Sequence, residues 1–361
     1  MNPLTPFLVA PRLRGLASRL SHRVYVRYLV EDPVSVAPVL DVPSADDLEA
    51  VWTKHVSAPS LPATVRVAGV GSFRLTVSGP ARSASRDDVI RGKVAVVTGG
   101  AQGFGEEITR GLIAHGAFVA IADLNLAGAQ RLADELNGRA GAAVSMAVAV
   151  NVSQEDSVAA MVDAVTAEVG GIDLFVSNAG VLKAMPLVDQ DVKSFEFVTA
   201  INYTGYMICA KHAARVMREQ TQFDPATWTD IVQINSKSGL AGSNKNGSYA
   251  GGKFGGIGLT QSFALELVSY SIKVNSICPG NFFDGPLWSD PENGLFAQYL
   301  RTGKVPGAQT LADVKTFYES KVPMNRGCTG PDVLRALLYI VEQEYETGQA
   351  VPVTGGQVML N

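Results

Sequence analysis

The chain has 361 residues, 47% of them hydrophobic and 18% charged, with a net charge of −4 at pH 7. That is enough apolar content for a sizeable buried core, without the basic excess that would hold nucleic acid or an anionic membrane surface. No apolar stretch reaches the roughly 20 residues of a membrane span, so no membrane partner is expected.

The first thirty residues hold five arginines and no acid before Glu31. Transit peptides share that charge pattern, but this segment is poor in serine and passes into the strand-like run VYVRYLV, so the cytoplasm is the expected location. Ser44 stands three residues before Asp47 at the head of ADDLEAVWTKHV and approximates the capping-box start of a short helix. TVRVAGVGSFRLTVS alternates and turns at Gly69-Val70-Gly71, which predicts a β-hairpin. Residues 1–85 are therefore expected to form a small α+β module, joined through the polar stretch GPARSASRDD to a second domain over 86–361. The module carries no cluster of reactive side chains and its role is unassigned. A chain starting near Ser85 is accordingly expected to keep any ligand site further along.

From Lys93 onward, short apolar runs alternate with amphipathic stretches: KVAVVT, AFVAIAD, AAVSMAVAV, IDLFVS, DIVQINS, IKVNSIC and AVPVTG. This alternation predicts an α/β fold, a Rossmann-type doubly wound parallel sheet covered on both faces, with ligand at the carboxyl ends of the strands. The first run leads at once into GGAQGFG and then into the helical EEITRGLIAHG. Gly99, Gly103 and Gly105, with Gln102 and Phe104 between them, leave room for the chain to turn and for a pyrophosphate to reach the N–H groups that open the next helix. The second run ends in Asp123, where a carboxylate can accept from the adenosine ribose hydroxyls. A 2′-phosphate would meet that charge, and GGAQGFG has no Arg or Lys to attract one, so the pattern argues for NAD. The alternative is an Asp that caps the helix beginning near Asn125.

Residues 236–254 read SKSGLAGSNKNGSYAGGKF. Tyr249 and Lys253 lie four apart, one turn from each other on one helix face. An adjacent ammonium favours the phenolate, so Lys253 is expected to lower the Tyr249 pKa and make a proton-transfer pair. Ser236, just after the run DIVQIN, is placed to hold a substrate oxygen beside Tyr249. The helix also contains Gly251, Gly252, Gly255, Gly256 and Gly258, each costing about 1 kcal/mol relative to alanine. Such a face is expected to be clasped by a neighbour, a second subunit of a dimer or tetramer. The irregular stretch 281–323, with helical pieces NGLFAQYL and TLADVKTFYESK, suits a lid over substrate.

In this order, the glycine turn, the acidic strand end and the Ser/Tyr/Lys set resemble the short-chain dehydrogenase/reductase superfamily over residues 91–361. Other marks carry the resemblance: Ser177-Asn178-Ala179-Gly180 after IDLFV, Asn202 in AINYTG at the family's fourth catalytic position, and Pro279-Gly280 after IKVNSIC. The resemblance implies that Asn202, Ser236, Tyr249 and Lys253 are catalytic, with Lys253 also holding the nicotinamide ribose and Asn202 anchoring a water that passes the proton onward. It implies NAD contacts from Gly99, Gln102, Gly103, Phe104, Gly105, Asp123, Asn151, Val152, Asn178, Ala179, Gly180, Tyr249, Lys253, Pro279 and Gly280. Two departures stand out. Asn151-Val152 replaces an Asp-Val pair, and NFFDG lacks the hydroxyl residue that grips the carboxamide.

The strings IVQINSKSGLAGSNKNGSYAGGKF, KVPMNRGC and TGQAVPVTGGQVM are similar to polyol-oxidising members of the superfamily. What this implies is NAD-dependent oxidation of a hexitol phosphate to a ketose phosphate, with Lys183, Ser236, Lys237 and Tyr249 around the substrate. Lys183 and Lys237 are the expected phosphate ligands, and Lys245 and Arg326 lie in loops that could face the same cleft. The alternatives are a non-phosphorylated polyol or hydroxyaldehyde as substrate, or a catalytically silent nucleotide-binding scaffold. The remaining reactive residues add no second site. Cys209, Cys278 and Cys328 are widely spaced and fit a reducing compartment, with Cys209 and Cys278 read as core. His22, His55, His115 and His212 make no ligand pattern, and no metal is expected.

Overall fold

The computed structural model describes residues 6–30, 37–80, 88–292, 294–301 and 303–359. The expected domain boundary at residues 85 and 86, with most of the polar joint GPARSASRDD, lies outside the described residues. Among the described residues no helix is long and apolar enough to cross a membrane.

The N-terminal segment runs α1 (Pro6–Arg19), β1 (His22–Leu29), β2 (Val39–Val42), α2 (Leu48–His55), β3 (Thr64–Val67) and β4 (Gly71–Pro80). Its sheet has the order β1-β4-β3-β2, with β4 antiparallel to both neighbours and β2 parallel to β3. The hairpin is β3–β4. Ser44 Oγ accepts from Asp47 N at 3.3 Å and donates to its carboxylate at 2.6 Å, and residues 45–47 make a 3₁₀ turn before α2 begins.

The helix α1, which the arginine-rich sequence did not announce, fastens this segment to the rest. Val9, Leu13 and Leu16 enter the module's own core with Val24, Val26, Trp52 and Phe73, while the opposite face meets the larger domain. There the buried Arg14 guanidinium donates to Val24 O (2.8 Å), Val169 O (3.1 Å) and the Asp173 carboxylate (2.6 Å). Asp173 also accepts from Val94 N at 2.7 Å and Gln220 Nε2 at 2.6 Å. Burial pushes the Asp173 pKa up, but Arg14, Lys93 and the Val94 N–H outweigh it and bring the carboxyl down to about 2.

The larger domain follows as β5 (Val94–Thr98), α3 (Gly103–Ala114), β6 (Phe118–Asp123), α4 (Leu126–Ala140), β7 (Ser145–Ala149), α5 (Glu155–Val169), β8 (Leu174–Ser177), α6 (Val192–Thr199), α7 (Gly205–Thr221), β9 (Thr229–Ile234), α8 (Gly247–Leu267), β10 (Ile272–Pro279), α9 (Pro286–Ser289), α10 (Leu295–Arg301), α11 (Leu311–Glu319), α12 (Gly330–Glu342) and β11 (Ala350–Val353). All seven predicted strands form one parallel sheet in the order β11-β10-β9-β8-β5-β6-β7. Continuous apolar strands such as β5, buried at every residue, are what a sheet covered on both faces requires. Two separate apolar clusters line those faces, one centred on α5 and α7 and the other on α3, α4 and α12.

The chain winds outward from β5 to β7, then returns to β8 and winds the other way. The carboxyl ends of β5 and β8 therefore flank a crevice, the usual ligand position in such sheets. After β10 the chain forms α9, α10 and α11, with a small core of their own around Phe283, Trp288, Phe296 and Val314.

Candidate active site

The glycine turn after β5 is built for close approach. Gly99 and Gly103 have φ values of 62° and 58°, the left-handed region that glycine enters without strain. A Cβ on Gly105 would overlap Gly99 O and lie 2.6 Å from Asn178 Nδ2, so this position too excludes a side chain. Gln102 opens α3 without a side-chain cap, leaving the first N–H groups of the helix for an anion, and a Cβ on Gly103 would meet open space. These residues fit a pyrophosphate.

Asn178 braces the turn rather than reaching out of it, its amide donating to Thr98 O and Gly99 O at 3.0 and 3.1 Å. The main-chain N–H groups of Asn178 and Ala179 both donate to Thr98 Oγ1. Asp123 accepts from Ala101 N (3.1 Å) and Asn125 N (2.9 Å), one oxygen each. Asn125, not Asp123, caps α4 through Gly128 N. Asn151 Oδ1 accepts from Ser153 N and Oγ two residues on, and the buried Val152 lies against Gly205.

The Ser/Tyr/Lys set comes together as the spacing implies. Ser236 caps the 3₁₀ turn 237–239, and its hydroxyl lies near enough to the part-buried Tyr249 phenol to draw its pKa down. Lys253 is 4% exposed, donates to Ile234 O at 2.9 Å, and sits 5.6 Å from the Tyr249 ring centroid. The expected lowering of the Tyr249 pKa does not appear. Burial raises it above its ordinary value, the Ser236 hydroxyl pulls against this, and the Lys253 ammonium is itself drawn down to about 8 by burial.

Asn202 lies in a π turn over 200–204, one of the local distortions that often mark functional sites. Its amide accepts from Val181 N (2.9 Å) and donates to Val181 O (2.7 Å), clamping the chain just past Gly180 and leaving one N–H for a water. A Cβ on Gly180 would lie 2.9 Å from Asn202 Oδ1 and 3.9 Å from Lys253 Nζ, so the turn after β8 meets the reactive set directly.

The candidate phosphate cations separate. Lys237 is half-buried, its ammonium pulled down in pKa by burial alone, and it has no carboxylate partner among the described residues. Lys183 is exposed, 3.5 Å from Ser194 Oγ and over the Phe197 ring. Lys245 is exposed with φ 57°, its carbonyl accepting from Met185 N. Arg326 forms a two-pronged pair with Asp332 and braces the start of α12, which removes it from the cleft.

Three of the five glycines of α8 are met by neighbours inside the chain. A Cβ on Gly252 would touch Asn202 and Tyr203, on Gly255 would strike the Tyr203 ring at 2.7 Å, and on Gly256 would lie 2.5 Å from Gln233 Nε2. Only Gly251 and Gly258 among these five face open space.

Three neighbours had no signal in the sequence. Phe282 stacks on Phe104 with ring centroids 4.3 Å apart, joining the segment after β10 to the start of α3. Gln357 Oε1 reaches toward Gly280 and accepts from Asn281 N at 3.4 Å, while Gly280 N donates to Val353 O. The Cys278 thiol, buried and pushed up to about 11 by that burial, lies within electrostatic range of Tyr249 and Lys253. Among the described residues no three His, Cys, Asp or Glu side chains cluster as metal ligands.

The short chain dehydrogenase family model matches residues 93–288. The sorbitol-6-phosphate 2-dehydrogenase of Escherichia coli (strain K12) is 38% identical over 270 residues, 74% of this chain and 99% of that one. The sorbitol dehydrogenase of Cereibacter sphaeroides is 30% identical, over 74% of this chain and 98% of its own. Among solved structures, sorbitol-6-phosphate 2-dehydrogenase from Erwinia amylovora superposes with a TM-score of 0.67 at 40% identity, covering 74% of this chain and 100% of that one.

Proposed function

Because the chain belongs to the short-chain dehydrogenase family, whose members are oxidoreductases, we propose that it oxidises a secondary hydroxyl of a hexitol phosphate to the ketose phosphate with NAD. The observation that carries this reading is the junction at Ser236 and Lys237: a hydroxyl beside the Tyr249 phenol, followed at once by a half-buried ammonium with no carboxylate partner among the described residues. A half-buried cation left without an anion loses part of its hydration uncompensated, and a substrate phosphate would supply a partner.

In this reading Ser236 orients the substrate oxygen and Tyr249, as phenolate, takes its proton. Lys253 keeps a positive charge beside the phenolate, and the free N–H of Asn202 holds the water that carries the proton away. NAD, when bound, supplies the hydride acceptor. The turn at Gly99, Gly103 and Gly105 with the start of α3 would hold its pyrophosphate, and Asp123 its adenosine ribose. Two main-chain N–H groups fix the Asp123 carboxylate at the end of β6, where its charge would repel a 2′-phosphate, which supports NAD over NADP. We further infer a homo-oligomer, since Met207, Phe254, Leu265, Val268 and Tyr270 leave an apolar strip exposed along α7, α8 and the turn that follows.

The test is NADH appearance with sorbitol 6-phosphate and sorbitol side by side, repeated with NADP. The phosphorylated substrate and NAD should give the higher kcat/KM, and Lys237→Ala should raise KM for the phosphate by about tenfold or more while leaving KM for NAD near its parental value. Equal efficiency with both hexitols would replace the phosphate by a plain polyol. That second reading draws on the capture of Lys183 by Phe197 and of Arg326 by Asp332, which leaves a dianion few cations.

A further inference from the structure

Behind the Ser/Tyr/Lys set runs a buried line of polar side chains. Gln233 and Asn235 lie two apart at the end of β9, so both point to the same face of the sheet, toward α8. Asn235, 4% exposed, uses both ends of its amide. Its Nδ2 donates to Lys253 O at 2.9 Å and Gln233 Oε1 at 2.7 Å, and its Oδ1 accepts from Ser236 N at 2.8 Å. Gln233 Oε1 accepts again from Ser276 Oγ at 3.1 Å. Ser276 pairs with Thr260 at 2.7 Å and Thr260 with Tyr206 at 3.1 Å, so the line ties β9, β10, α8 and α7 together.

The helix comes this near only because glycines face the amides. A Cβ on Gly256 would lie 2.5 Å from Gln233 Nε2, and one on Gly239 would overlap Asn235 Oδ1 and sit 3.0 Å from Lys253 O. Two glycines that each weaken local structure are thus spent on admitting one amide pair. An apolar side chain would fill the same space without any of these bonds, so burial alone does not account for the arrangement.

We propose that Asn235 is a positioning residue for proton transfer: its amide fixes the main chain of Lys253 against that of Ser236, and so sets the separation of the Ser236 hydroxyl, the Tyr249 phenol and the Lys253 ammonium. Gln233 fixes the orientation of that amide. Lys253 is gripped twice by successive residues, its Nζ by the carbonyl of Ile234 at the end of β9 and its own carbonyl by the Asn235 side chain just past it. The inference rests on reading Ser236, Tyr249 and Lys253 as the reacting set.

The experiment measures kcat, KM and the pH dependence of kcat for the full chain and for Asn235→Ala, Asn235→Ser and Tyr249→Phe. The probes are NAD with whichever of sorbitol 6-phosphate and sorbitol the parent turns over faster. Asn235→Ala should lower kcat by about tenfold to a hundredfold, the cost of a misplaced reacting group, with KM for NAD within about twofold. The pH of half-maximal kcat should move by about half a unit or more, because the groups that titrate have been displaced. Asn235→Ser keeps one donor and should recover part of both. A merely structural role would lower the folded fraction and leave that pH in place. Parental kcat and pH profile in Asn235→Ala overturn the proposal, as does a fall in kcat with an unmoved profile. If Asn235→Ala fails to fold, Asn235→Ser is judged by the same two readouts. Tyr249→Phe separates the layers. Full turnover there removes the acid/base assignment itself, whereas an inactive Tyr249→Phe beside a parental Asn235→Ala removes only the positioning role.

Discussion

Burial works against the charged forms of both Tyr249 and Lys253, holding the phenol above its ordinary value and the ammonium down to about 8. The four-residue spacing that pairs them is legible in the sequence, but the electrostatics are not, because desolvation depends on what Cys278, Ile234 and Asn202 bring around them. Replacing Tyr249 by Phe should cut turnover by about a hundredfold or more while NAD still binds, the scale of a lost acid/base. Near-parental turnover would show that another group takes the proton. Lys253 yields a stability prediction of opposite sense. Its folded pKa lies below the 10.5 of the free side chain, so the unfolded chain holds more protons between the two values and the parent gains stability as pH rises from about 8 to 10.5. Below that window the buried charge is a full penalty. Lys253→Met should therefore be inactive yet more stable than the parent by about 1–3 kcal/mol at pH 7, with the gap in Tm narrowing toward pH 10. A parent that melts higher at every pH contradicts this account.

Elements whose pattern is repeated along the chain were the readable ones. Seven apolar runs became seven parallel strands, and Ser44 and the hairpin at Gly69 to Gly71 behave as their residue types dictate. What could not be read is contact between elements far apart in sequence. The glycines of α8 announce a close neighbour, yet nothing in the sequence says that Tyr203 and Gln233 are that neighbour rather than another copy of the chain. Arg326 is equally opaque, since a cation in a loop looks the same whether it faces a phosphate or Asp332. The stack of Phe282 on Phe104 was invisible for the same reason, and it makes the expected role of the segment after β10 as a lid testable. An aromatic pair contributes about 0.5–1.5 kcal/mol beyond its buried area. Phe282→Ala should loosen residues 281–323 and speed limited proteolysis there several-fold, with little change in global Tm. Unchanged cleavage would mean that the small core around Trp288 holds the segment unaided.

At the scale of the whole molecule, the N-terminal segment is bound in rather than appended. The chain starting near Ser85 would keep every residue of the dinucleotide cleft, but it would uncover the α5 and α7 surface and remove Arg14 from Asp173. Removing one partner of a buried pair costs about 3–5 kcal/mol, and Arg14→Ala should lose stability on that scale in urea. Adding Asp173→Asn should restore part of it, and no recovery would indicate that lost packing rather than an orphaned charge is responsible. The sign with pH follows from Asp173, whose carboxyl is held at about 2. Its contribution is complete above the ordinary carboxylate range and is lost as pH falls toward 2, so the parent and Arg14→Ala should converge in acid. Arg14 and Asp173 are 159 residues apart, and the ribosome adds about 5–20 residues per second. For roughly 8–30 s of every synthesis, α1 is out in the cell with its arginine aimed at a surface that does not yet exist. Slow codons between the two halves would lengthen that exposure, and fast ones would shorten it.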